Sequence, residues 1–161
     1  MTSTLNLARI AALIAIFGFF LPWAEVSCSG APLVHETGIQ LITGGADTAA
    51  PGHHDLWVAA ALGLIVLGLA GGLVLRGRNA ALILLATALA AAVASLIGVS
   101  QEVPNAEVQA QLAGEPAGAS GALVSAKLEY GYFVTLSGLI VAFAAAGLAL
   151  ADRRLPGSDR K

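Results

Sequence analysis

Three runs of about twenty residues carry no Asp, Glu, Lys or Arg: Leu56 to Leu75, Ala80 to Ser100 and Tyr130 to Ala151. A helix needs about twenty apolar residues to cross roughly 30 Å of hydrocarbon. Each run meets that length without placing a charge on any face. The chain is 57% hydrophobic and 11% charged, whereas a soluble domain carries about 25% charged residues. The shortage is concentrated in these windows rather than spread over the chain. That pattern marks a polytopic membrane protein and not a greasy globule.

A fourth apolar stretch precedes the three. Its charge-free part, Ile10 to Ala24, has fifteen residues, short of a full span. Leu5, Asn6, Leu7 and Ala8 supply the missing length if Arg9 snorkels its guanidinium to the interface. A cleavable signal peptide is the rival, with one Arg, an apolar core and small residues near Ser27-Cys28. Glu25 stands three residues before Cys28, where a lipoprotein signal wants an aliphatic side chain, and no small-x-small site precedes it. A retained first span over about 5–24 is therefore expected, leaving the bilayer at Pro22-Trp23.

The later spans are placed at about 56–75, 80–100 and 130–151. Only Arg76 to Asn79 join the second to the third, which demands a tight antiparallel turn. The expected fold is an all-α membrane protein: one four-transmembrane-helix bundle over 1–154 with a small extracytoplasmic β-hairpin or sheet element. Outer loops occupy 25–55 and 101–129, and 155–161 form a polar cytoplasmic tail.

Charge orients this arrangement. Arg9, Arg76, Arg78, Arg153, Arg154, Arg160 and Lys161 fall on the side of the termini, with Asp152 and Asp159. Lys127 alone faces eight acids on the other side: Glu25, Glu36, Asp47, Asp55, Glu102, Glu107, Glu115 and Glu129. Positive residues stay inside, so both termini are expected in the cytoplasm. Trp23, Trp57, Tyr130 and Tyr132 all fall at the outer boundary and read as interface anchors.

Small residues recur at four-residue steps: Gly68 and Gly72 in the second span, Ala86, Ala90, Ala94 and Gly98 in the third, and Gly138, Ala142 and Ala146 in the fourth. In lipid, such stripes let backbones approach closely and pack by van der Waals contact. They either seal the protein's own bundle, the favoured reading, or face a partner subunit.

The loops carry a weaker pattern. Ala24 to Cys28 and Leu33 to Thr37 alternate in polarity around a Ser29-Gly30-Ala31-Pro32 turn, a β-hairpin signal. Gly38 to Ile42 reads as a short interfacial helix or a continuing strand, and Thr43 to Gly52 as a linker. In the second loop Glu102 to Asn105 and Gly114 to Gly118 read as turns, with about two helical turns over 106–112. Ser125 to Tyr130 alternates and is expected to pair with the hairpin.

Pro22-Trp23 followed by Val26-Ser27-Cys28, the Thr37-Gly38-Ile39-Gln40-Leu41 stretch, and a last span opening Tyr130-Gly131-Tyr132-Phe133 together resemble a broad group of uncharacterised small bacterial four-span proteins. The likeness covers the first and last spans and the first loop, and implies no activity. The layout is also similar to claudin-type four-span proteins. Their paired loop cysteines and Gly-Leu-Trp signature are missing here, so that likeness is architectural.

Candidate chemistry is sparse. His35, Glu36, His53, His54 and Asp55 are weak candidates for binding zinc or copper through imidazole and carboxylate. Adjacent histidines diverge on a helix, and Asp55 serves equally as an N-cap, so no metal and no cofactor is assigned. Cys28 is either a reactive thiol or a small buried residue of the hairpin. No nucleophile set, phosphate-cradling glycine loop or Cys-x-x-Cys pair is present. The last three spans contain no Asp, Glu, Lys, Arg or His, whereas pumps and ion-coupled transporters keep such groups at mid-depth.

Three readings follow, none of them an enzyme. The first is an accessory or scaffold subunit of a larger inner-membrane assembly, with the bilayer and other membrane subunits, or its own copies, as partners and no nucleic acid. The alternative is a self-assembling channel or small-solute pore, with Asn6, Thr87, Ser95, Thr135 and Ser137 as its available polar lining. The third is an outer-face sensor built on the His/Glu residues.

Overall fold

The computed structural model describes residues 2–28, 31–44, 55–113 and 124–152. In chain order these form α1 (Thr2–Gly18), β1 (Pro22–Cys28), β2 (Ala31–Thr37), α2 (Gly38–Thr43), α3 (Leu56–Val74), α4 (Arg78–Ala113), β3 (Val124–Leu128) and α5 (Tyr130–Ala151). Expected features at Ser29-Gly30, 45–52, His53-His54, 114–118 and the tail 155–161 lie outside the described residues.

Three helical segments are long and apolar enough to cross a membrane: Leu56–Val74, Arg78–Ser100 and Tyr130–Ala151. The first span expected from the sequence is shorter than anticipated. Its helix stops at Gly18 and not at Ala24, giving 17 residues and a rise of about 26 Å. The reason is local. Phe19, Phe20 and Leu21 donate three residues back, to Ile16, Phe17 and Gly18, a tight closing turn. Pro22 then opens β1, having no N–H to extend the helix.

α1 packs chiefly on α5, α5 on α4 and α4 on α3, with a lighter α3–α1 contact completing the ring. Ala8, Leu84, Ala145 and Ala146 cluster at one end, so the start of α1, the start of α4 and the end of α5 lie together. Arg76-Gly77-Arg78 turns at that end, where Gly77 takes φ 70°, a left-handed geometry that glycine adopts without steric cost. The core is largely alanine: Ala11, Ala12, Ala15, Ala61, Ala88, Ala91, Ala94 and Ala142 are all buried. Large apolar side chains such as Ile10, Phe17, Leu67, Leu89 and Ile140 point outward. This is small-inside, large-outside packing, suited to helices surrounded by lipid.

α4 departs from expectation at its far end. The sequence suggests a turn at Glu102 to Asn105, yet the helix runs on through Pro104 to Ala113, 36 residues in all. Ala, Glu, Gln and Leu on either side of Pro104 are strong helix formers, and they carry the helix past the one hydrogen bond that a proline removes.

At the end opposite the chain's start stands a three-stranded antiparallel sheet in the order β2-β1-β3. The hairpin of β1 and β2 and the pairing of β3 follow the alternating stretches of the sequence.

Candidate functional site

The short motifs converge on one residue, Trp23. Its side chain is fully buried, and its indole N–H donates to the Gly18 carbonyl at 2.9 Å, closing the end of α1. Phe19 lies against it with ring centroids 4.6 Å apart, and Tyr132 meets it edge-on at 5.6 Å. A Cβ on Gly38 would press on the indole at 2.9 Å, and one on Gly131 would strike the Pro22 carbonyl oxygen. Glu129 N–H donates to the Trp23 carbonyl at 2.9 Å, and Ile39 N–H to that of Phe19 at 3.1 Å. Thr37 and Gln40 form a reciprocal capping box at the start of α2, each satisfying a backbone N–H of the other. The motif residues thus join bundle to sheet.

Two of the four expected interface anchors are packed inside the protein. Trp23 and Tyr132, 0% and 5% exposed, are core residues, whereas Trp57 and Tyr130 are 43% and 56% exposed. Aromatic side chains at the end of an apolar run suit a membrane boundary, but here Gly38 leaves room for the Trp23 indole and Gly131 lets α5 approach the Leu21-Pro22 backbone closely.

The small-residue stripes divide as well. Gly68 and Gly72 lie under Thr87 and Leu84 of α4, Gly98 lies under Asp55 and Val58 of α3, and Gly138 lies against the backbone at Ala11 and Ala15. Ala94, Ala142 and Ala146 are buried. Ala86 and Ala90 are exposed on the outside of α4.

The polar residues fall on the sheet. Glu25 of β1 stands opposite His35 of β2 and Lys127 of β3, and Glu129 follows two residues after Lys127. Glu25, His35 and Glu129 bring their ligating atoms within 4.8 Å of one another, with His35 Nδ1 3.6 Å from Glu129 Oε1. Neither Glu25 nor Glu129 is among the residues singled out from the sequence as ligands. The signal was the alternation of β3, which carries Glu129 back beside β1.

The expected ligand candidates separate. Glu36 pairs with Ala24 in the neighbouring row, on the opposite face from His35 by the two-residue period of a strand. Burial raises its carboxyl above the ordinary range. Asp55 is the N-cap of α3, where Oδ1 accepts from the N–H groups of Trp57 at 2.7 Å and Val58 at 3.1 Å. Its Oδ2 is buried against Gly98 without a hydrogen-bond partner among the described residues. Cys28 ends β1, its backbone paired with Ala31 and Val124.

No family model, no curated protein and no solved structure matches the chain.

Proposed function

We propose that this chain is a multi-pass membrane protein with four membrane helices, both termini cytoplasmic, and a non-catalytic role as an accessory or scaffold subunit. The observation that carries the reading is the outward placement of Ala86 and Ala90 on α4. The other small residues of the stripes are buried inside the bundle, whereas Ala86 and Ala90 leave a small-residue face of α4 open to close approach by another helix. At 17 residues, α1 is at the lower limit for a span. Its packing along α5 supports counting it as the fourth membrane helix.

The pore alternative draws less support. Thr87, Thr135 and Ser137 hydroxyls donate to backbone carbonyls, and Ser95 is buried. Of the five polar residues available to a lining, Asn6 and Ser137 face outward.

Extraction in native nanodiscs followed by mass spectrometry tests the proposal. Stoichiometric foreign subunits are expected, and an A86L/A90L variant should lose them while keeping its helix content. A bare monomer from native membrane overturns the reading, and a closed homo-oligomer conducting solute in liposomes replaces it with the pore.

A further inference from the structure

We propose that Glu25, His35 and Glu129 form a site for one divalent transition-metal ion of the zinc class on the polar face of the sheet. This does not rest on the subunit reading, because Glu25 and His35 belong to the sheet and Glu129 to the junction of β3 and α5, none of them to the face of α4.

Geometry is the first support. Two ligands of a tetrahedral zinc ion, each about 2.0–2.1 Å from the metal, stand roughly 3.4 Å apart. His35 Nδ1 and Glu129 Oε1 are already at 3.6 Å, and no ligating atom of the three exceeds 4.8 Å from another. Rotation about the flexible glutamate side chains closes the remainder.

The scaffold is the second. Each ligand comes from a different element, and the backbone of each is held independently of any ion. Glu25 and His35 are direct partners in the β1–β2 register. Glu129 is held by its N–H bond to the Trp23 carbonyl, and Trp23 is fully buried. Ligands on fixed elements need little ordering when an ion arrives.

Charge and chemistry are the third. Two carboxylates and one imidazole converging on one point offer three donors to a cation, whose charge offsets the repulsion between the carboxylates. One nitrogen and two oxygen donors, without thiolate, suit zinc with a water in the fourth position, and copper or nickel less selectively. Lys127, opposite Glu25 in the register and exposed, has a flexible stem that allows its ammonium to point away from a bound ion.

The test uses the full chain, free of any histidine tag, in phosphatidylcholine nanodiscs titrated with zinc chloride by calorimetry. One ion per chain with micromolar affinity is expected. H35A and E129Q should each weaken it by at least about tenfold, and H35Q gives the same readout if H35A does not fold. Cobalt bound in place of zinc should show visible d–d bands that disappear in the His35 variants, whereas an H53A/H54A variant should bind normally. No saturable binding up to millimolar zinc overturns the site. So does binding that survives loss of His35 and Glu129, or that depends on His53 and His54 instead.

Discussion

The guanidinium of Arg9 in α1 donates from Nε at 3.0 Å, and again from Nη2, to a single backbone atom, the carbonyl oxygen of Gly72 near the end of α3. The last four carbonyls of a helix lack intrahelical partners. Gly71 O accepts from Leu75 N–H, which leaves Gly72 O to be met from outside. A cation there also complements the negative end of the helix dipole. The one charge within the first apolar stretch is therefore tied to a neighbouring helix, with Asn6 Oδ1 accepting a further bond at 3.1 Å.

R9A is accordingly expected to lower stability by about 1–3 kcal/mol, the range for hydrogen bonds from charged groups. R9K should recover only part, since an ammonium lacks the planar fork that reaches one oxygen twice. Reversible unfolding in mixed detergent micelles measures both. An R9A protein as stable as the parent would mean that the guanidinium merely snorkels.

The two tryptophans should report different surroundings. In a W57F variant only Trp23 emits, and its full burial predicts blue-shifted emission that neither aqueous quenchers nor brominated lipids reach. In a W23F variant Trp57 remains, 43% exposed, and brominated lipids are expected to quench it strongly. Equal quenching of the two would return Trp23 to the membrane boundary.

How much of this was readable in the sequence depends on whether the cause is local. α5 runs Tyr130–Ala151, the same limits as its apolar window, because Glu129 and Asp152 bracket it. The strands follow the alternating stretches in outline, although β1 begins at Pro22, inside the expected first span. The capping box of Thr37 and Gln40 decides for a helix over Gly38–Thr43, where the sequence reading leaves helix and strand open. Trp23 misleads because the residues that bury it, Gly38 and Tyr132, are distant in the chain. The helical turns expected over 106–112 are present, but their continuity with α4 through 101–105 is hidden because a polar stretch containing Pro104 looks like a turn when only apolar periodicity is read. Glu25 and Glu129 meet only through the β1–β3 register. His53 and His54, which draw attention as adjacent imidazoles, are not needed for the cluster that forms.

Glycines separate structural seams from lipid-facing surface, and two substitutions should display the difference. At Gly138 a Cβ would stand 2.9 Å from both Ala11 O and Ala15 N, so G138A must push α1 away from α5 against backbone that cannot rotate aside. A loss of about 1–3 kcal/mol is expected, typical of overpacking. At Gly63 nothing lies within 4 Å of the added atom, and G63A should be neutral or stabilising by up to about 1 kcal/mol through helix propensity. The same micellar unfolding assay compares them. A G138A protein at least as stable as G63A would contradict close packing of α1 on α5.

Glu36 makes the sheet sensitive to pH in a defined direction. Burial raises its carboxyl above the ordinary value of 4.5, so in the window between that value and its folded one the native state holds more protons than the unfolded state. Stability must then fall as pH rises through the window and recover as pH falls through it. E36Q removes the buried charge. It is expected to raise the unfolding temperature at neutral pH, with the advantage shrinking towards pH 4 as the native glutamate becomes protonated. Thermal melts of both proteins across pH 4 to 8, followed by far-ultraviolet circular dichroism, measure the difference. A stabilisation that stays constant over that range would show that the gain comes from the amide's own contacts and not from relief of a desolvated carboxylate.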